Sequence, residues 1–133
     1  MTGVQTCALP ISRAVFLRCA TRFERIGDCY HASASVQLAA EALLAGGDLE
    51  GAARVARQCL DRIGADYRLL EAHLHVLLYE TTIRARDAGA QQHRDRCLEL
   101  VADMDVRVSR RIKRRLDRAV PHGKDRTSAR EDP

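Results

Sequence analysis

The sequence predicts an all-α protein of five to six helices. Aromatic residues make up only 4% of the 133-residue chain and tryptophan is absent, whereas a β-sandwich or barrel is usually richer in aromatic and β-branched side chains. Apolar residues recur at steps of three and four, which is the period of one helix face. Short turns that contain Gly and Asp separate these periodic segments, as expected between helices.

Residues 1–12 stand outside this pattern. The run MTGVQTCALPIS resembles the translation of a common sequencing-library adapter, read in one frame up to the ligation junction. The resemblance implies a non-native leader on a metagenomic fragment of a larger protein. Because Pro10 interrupts the apolar run and no basic segment precedes it, we do not interpret the leader as a secretion signal. We expect the leader to pack against nothing of consequence.

The first native helix is predicted over residues 13–26. Its inward positions are Val15, Phe16, Cys19 and Phe23. We interpret it as the second helix of a repeat, occupying 13–27, whose first helix was cut off. The unpartnered apolar side chains are then expected to form an exposed patch through which the fragment self-associates.

The next two helices form the first complete helical hairpin, residues 28–64. Asp28 is the predicted N-cap of a helix that ends near Ala45, and Gly46-Gly47-Asp48 forms the turn, with Asp48 capping a helix over 49–63. The apolar faces consist of Val36, Ala39, Ala40, Leu43 and Leu44 on the first helix and of Ala52, Val55, Ala56, Cys59, Leu60 and Ile63 on the second.

A second hairpin is predicted over residues 65–103. Its first helix spans 67–84 with Leu70, Leu74, Leu77, Leu78 and Thr81 facing inward, and its second spans 90–102 with Leu98 and Val101 inward. A capping helix follows over 106–119, where Val108, Ile112 and Leu116 form the apolar stripe. Residues 120–133 lack apolar periodicity and are predicted to be a polar linker or tail.

The chain repeats itself with a period of 37 to 38 residues. The segment FERIGDCY at 23–30 aligns with LDRIGADY at 60–67, and the residues Gly51-Ala52 and Cys59-Leu60-Asp61 align with Gly89-Ala90 and Cys97-Leu98-Glu99. One hairpin cannot bury its own apolar face, so such repeats stack against their neighbours.

Residues 36–60 resemble a tetratricopeptide repeat of the bacterial signalling and regulatory type. Gly47-Asp48 and Ala52 match the family pattern, whereas Ala39-Ala40 replaces its usual Leu-Gly and Leu43 its usual Tyr. The resemblance covers about residues 13–102. It implies a short right-handed solenoid of antiparallel hairpins, with a concave groove that binds a protein or peptide partner. Carried over by a shift of 38, the groove positions include Gln37, Glu41, His75 and Tyr79.

The basic charge is concentrated in the last predicted helix. Residues 107–118 contain seven basic side chains and one acidic one, whereas residues 13–106 contain twelve basic and fourteen acidic ones, a net charge of −2. A solvated capping helix explains this pattern; an acidic partner or phosphate surface formed by Arg110, Arg111, Arg114 and Arg115 is the alternative. Nucleic acid is the less favoured partner because no aromatic residue interleaves the arginines.

The remaining chemistry-bearing residues predict no catalytic, metal or cofactor site. Cys19, Cys29, Cys59 and Cys97 lie in or beside apolar stripes, which favours buried free thiols over a disulfide framework or metal site. His73 and His75 stand two apart and cannot share one helix face. His93 and Cys97 stand four apart, but nothing in the sequence identifies them as a catalytic dyad.

The sequence therefore favours a non-enzymatic protein–protein interaction scaffold, part of a larger cytoplasmic bacterial protein with no membrane association. Two alternatives remain open. The final residues 129–133 resemble the entry to a diguanylate cyclase (GGDEF) domain, which would make this segment the N-terminal sensory region of such an enzyme. The segment is alternatively the C-terminal repeat region of a transcriptional regulator whose DNA-binding domain is missing.

Overall fold

The computed structural model describes the backbone of residues 2–119 and the side chains of residues 13–119. This part of the chain contains six helices and no strand: α1 (Thr2–Arg25), α2 (Cys29–Ala45), α3 (Leu49–Ile63), α4 (Arg68–Ala85), α5 (Ala90–Val101) and α6 (Val106–Ala119). The prediction of an all-α protein is confirmed. Within the described residues, no helix combines the length and the apolar character needed to cross a membrane.

Local sequence signals place the ends of α2 and α3. The Asp28 carboxylate accepts a hydrogen bond from the backbone N–H of His31 at 3.0 Å, and Asp48 accepts one from Gly51 at 2.9 Å. Each bond satisfies an N–H that the first turn of a helix leaves without a partner. Gly47, with φ of 87°, supplies the left-handed residue that ends α2. Both helices begin and end within one residue of the predicted bounds.

Consecutive helices form antiparallel pairs. Near the end of α3, the Cys59 thiol donates to the carbonyl of Ser33, near the start of α2, at 3.6 Å. In the next pair, Cys97 of α5 donates to the carbonyl of Ala72 of α4, also at 3.6 Å. The same contact thus recurs in both hairpins, at positions where the aligned sequence places the same residue type.

Helix α4 lies at the centre of the molecule, packed against α2, α3, α5 and α6. One hydrophobic core joins α2, α3 and α4; a second joins α4, α5 and α6. The five inward residues predicted for α4 are all buried, and so are residues on its other faces: Glu71, Ala72, Val76, Tyr79, Glu80 and Thr82. A helix buried on most of its circumference does not present one apolar face and one solvated face.

The first helices of the two hairpins are related by a residue offset that differs from the predicted offset of 38. Cys59 and Cys97 are 38 apart, but their acceptors Ser33 and Ala72 are 39 apart. The first residues of α2 and α4, Cys29 and Arg68, also differ by 39. Because each residue turns an α-helix by about 100°, a shift of 38 assigns the wrong face of α4.

Helix α1 differs most from its prediction. Its backbone is helical from Thr2, rather than from residue 13, so the helix continues through the leader. Phe16, Cys19 and Phe23 are only half-buried and Val15 is 40% exposed, consistent with the expected absence of a packing partner on one side. The predicted polar tail, 120–133, lies outside the described residues.

The four cysteines of residues 13–119 are all free thiols. Cys59 and Cys97 are buried as expected, and burial raises the pKa of both thiols, that of Cys97 to about 11. Cys29 was also expected to be buried, but it is exposed at the first residue of α2.

Deletion of residues 1–12 is expected to leave the thermal unfolding temperature unchanged. Helix α1 would retain Ala20, which is buried, and the half-buried residues that pack on α2. Differential scanning calorimetry of the full and shortened chains measures the difference. A drop of several degrees in the shortened chain would show that the leader stabilises the fold.

Candidate functional site

An ion-pair cluster joins α2, α4 and α6. The Arg115 guanidinium on α6 donates two hydrogen bonds to the Glu41 carboxylate on α2, from Nη1 at 2.7 Å and Nη2 at 2.6 Å. Its Nε donates to the Glu80 carboxylate on α4. Gln37, one turn before Glu41, donates from Nε2 to Glu41 at 2.9 Å. The planar guanidinium can satisfy two carboxylates at once, which an ammonium group cannot do with fixed geometry.

This cluster is shielded from water. The exposed fractions of the side chains are 24% for Arg115, 23% for Glu41 and 11% for Glu80. Burial alone would lower the pKa of Arg115, but its hydrogen bonds and the charges of Glu41 and Glu80 outweigh this effect, so the pKa lies above the ordinary value. The guanidinium is therefore charged at neutral pH.

The cluster unites two surfaces that the sequence analysis kept apart. Glu41 was expected to line a partner groove, and Arg115 was expected to belong to a separate basic surface. In the structure, the Arg115 guanidinium and the Glu41 carboxylate hydrogen-bond to each other. The reason is that α6 packs directly on α4, where it reaches α2 as well. Glu80, the third member, was missed because the predicted shift of 38 carries Glu41 to Tyr79, whereas the observed shift of 39 carries it to Glu80.

The other two predicted groove residues do not lie on this face. Tyr79 is 5% exposed and belongs to the core formed by α4, α5 and α6, with the Arg94 guanidinium 5.9 Å from the centre of its ring. His75 contacts His93 on α5. The one-residue difference in register is responsible, because it turns both side chains away from α2 and towards α5.

His73, rather than the predicted His75, is the histidine of α4 that lies on this face. It is half-buried on α4, close to Glu41, Arg111 and Arg115. Burial lowers the pKa of His73, the charges of Arg115 and Arg111 lower it further, and Glu41 opposes them. We call the surface formed by Glu41 on α2, His73 on α4 and Arg111 and Arg115 on α6 the first-helix face. Helices α2 and α4 are the first helices of the two hairpins, and α6 follows the second hairpin.

The rest of α6 presents a ridge of arginines to solvent. Arg107, Arg111, Arg114 and Arg118 stand three or four residues apart, so they share one side of the helix, and Arg110 adjoins them. All five are exposed, and within the described residues none of them forms an ion pair. We call these five residues the arginine ridge. Of the four arginines predicted as a basic surface, three belong to it and Arg115 does not.

A small hollow connects the arginine ridge with the ion-pair cluster. It measures about 260 Å³ and is lined by Glu80, Arg84, Arg115, Arg118 and Ala119. Two of its guanidinium groups, those of Arg84 and Arg118, are exposed. The hollow thus extends the positive charge of α6 onto the end of α4.

Comparisons with protein-family models, with curated proteins and with solved structures found no match to this chain. The fold and the site define a class only at a coarse level: an all-α protein in which neighbouring helices pack against each other. The proposed function rests on the arginine ridge and the ion-pair cluster.

Proposed function

We propose that this segment is a protein-interaction module, built as a short tetratricopeptide-like array, that binds an acidic segment of a partner protein. The proposal of an array is supported by the 37–38-residue sequence period and by the hydrogen bond from thiol to carbonyl that recurs in both hairpins. In such an array, α2, α4 and α6 would together line the face that receives a partner.

The arginine ridge is the observation that carries the proposed specificity. Five exposed guanidinium groups lie on one side of α6 without an acidic partner among the described residues. Glutamate and aspartate side chains match the planar donors of arginine with two parallel hydrogen bonds. Glu41 gives no preference for a basic peptide, because its carboxylate is already paired with Arg115.

The distribution of charge favours a short acidic peptide over a nucleic acid. Residues 13–106 carry a net charge of −2, from twelve basic and fourteen acidic side chains, whereas residues 107–118 carry a net charge of +6, so the excess positive charge belongs to α6. Beyond α6, a long polyanion such as duplex DNA would meet a part of the chain with a small excess of negative charge. Aromatic residues for base stacking are absent from the sequence of α6.

The test measures binding of a fluorescein-labelled peptide of alternating Glu and Gly residues at low salt. Substitution of Arg110, Arg111 and Arg114 by Gln is expected to weaken binding at least about tenfold, since each exposed charge contributes to attraction. The matched control substitutes Arg22, Arg25 and Arg54, which are exposed on α1 and α3 and carry the same total charge. The control is expected to change affinity less than about twofold.

Two results would contradict the proposal. Equal losses in the ridge variant and the control would mean that net charge, rather than the ridge, governs the interaction. Preferential binding of a duplex DNA of equal charge, with a steep dependence on salt, would identify the ridge as a phosphate surface instead. Fusion to a cyclase domain and fusion to a DNA-binding domain both remain predictions, which the described residues do not test.

A further inference from the structure

Two histidines meet at the junction of α4 and α5, away from the first-helix face. The Nδ1 atoms of His75 and His93 lie 3.1 Å apart, and their ring centres are 5.3 Å apart with 36° between the planes. Both side chains are half-buried, and that of His75 retains 15% of its exposure. Two imidazole nitrogens therefore converge at the edge of a packed helix pair, within reach of solvent.

The distance between these nitrogens suits a shared metal ion. Two metal–nitrogen bonds of about 2.0–2.1 Å separate their nitrogens by about 3.3 Å at a tetrahedral angle and by about 2.9 Å at a right angle. The observed 3.1 Å lies between these values. An ion could consequently bridge the two rings with little movement of either helix.

Glu71 is placed to orient one of the rings. Its Oε2 lies 3.7 Å from Nε2 of His75, one helical turn away, and the same oxygen accepts a hydrogen bond of 2.9 Å from Nε of Arg96. At 3.7 Å this contact is longer than a hydrogen bond, so Glu71 acts on the ring through its charge, which favours a proton on Nε2 and leaves Nδ1 to bind. Metal-binding histidines in proteins commonly have such a carboxylate behind them.

The net effect of burial and neighbouring charges lowers the pKa of both rings. Burial lowers the pKa of His75, His93 lowers it further, Glu71 raises it and Arg96 lowers it. Burial also lowers the pKa of His93, as does the charge of Arg57 on α3. The two arginines oppose a bound cation, so the affinity is expected to be moderate.

We propose that His75 and His93 form a two-histidine site for a divalent transition-metal ion of the class that prefers imidazole, such as Zn²⁺ or Ni²⁺. The ion would join α4 to α5, with Glu71 orienting His75 and with water completing the coordination. Among residues 13–119 there is no cluster of three or more potential ligands, so the protein supplies two donors at this site. This inference is independent of the proposed partner surface.

The test titrates the tag-free chain with NiCl₂ by isothermal calorimetry, in a Cys29→Ser background that removes an exposed thiol. One ion per chain is expected, and His75→Gln or His93→Gln should each weaken binding at least about tenfold. His31→Gln and His73→Gln are the matched controls, because each removes one imidazole elsewhere. Circular dichroism verifies that every variant is folded.

A second measurement separates metal binding from a structural role of the pair. With Zn²⁺, ¹⁵N spectra of the imidazole rings should show both Nδ1 signals shifting to the range of coordinated nitrogen, with the proton of His75 on Nε2. The unfolding temperature should rise with Ni²⁺ in the parent chain and stay constant in the His75→Gln and His93→Gln variants. Absent binding, or equal binding in these variants and the controls, would show that the rings only hydrogen-bond to each other.

Discussion

Leu77→Ala is expected to lower the free energy of unfolding by about 2–5 kcal/mol, the usual range for truncating a buried leucine. Leu77 is 0% exposed on α4 and belongs to the core that joins α2, α3 and α4. Because α4 is enclosed by four other helices, its neighbours cannot collapse into the space that the side chain leaves. The cost therefore includes a cavity in addition to the lost transfer energy.

Leu60→Ala is the matched comparison, because it makes the same chemical change on α3, the second helix of the first hairpin. Leu60 was also expected to be buried, but it is only partly buried against the same core, so its truncation should cost about 1–2 kcal/mol. Urea titration followed by circular dichroism gives both values. Equal losses at the two positions would mean that α4 is not the buried centre of the fold.

Replacement of Arg115 by methionine is expected to cost about 2–4 kcal/mol, a value reduced for the partial exposure of the cluster. The substitution leaves Glu41 and Glu80 close together, shielded from water and without their shared counter-charge. It also removes the two hydrogen bonds that the Arg115 guanidinium donates from α6 to Glu41 on α2. The loss is thus expected to appear as weaker docking of α6.

Two further variants make the result specific to the cluster. Arg111→Met removes an exposed arginine one turn earlier on the same helix and should change stability by less than about 0.5 kcal/mol. The triple variant Glu41→Gln, Glu80→Gln, Arg115→Met should recover much of the loss, because no unpaired charge remains buried. If Arg115→Met costs no more than Arg111→Met, the cluster does not hold α6.

The local features of the fold were predictable from neighbouring residues. Asp28 and Asp48 cap their helices through N–H groups only three residues away, and the apolar stripe of α6 repeats every four residues. Such interactions form wherever the segment is helical, whatever packs against it. The bounds of α2, α3 and α6 therefore followed from composition and spacing alone.

The face that each residue occupies required the packing of the helices. A shift of 38 aligned the sequences correctly around Cys59 and Cys97, but the first helices correspond at 39. One residue changes the direction of a side chain by about 100°, which placed Tyr79 in the core and His73 on the first-helix face. The exact register depends on how two helices fit together and leaves little trace in either sequence.

The sequence by itself determined that the chain is helical, where most helices begin and end, and that the arginines concentrate in the last one. Only the tertiary structure decided which charged side chains remain available to bind a partner. Glu41 and Arg115 are separated by 74 positions in the chain, and their pairing exists because three helices bring them together. Hydrogen bonds across such separations depend on the positions of whole helices, and these positions are set by the burial of α4 on most of its circumference.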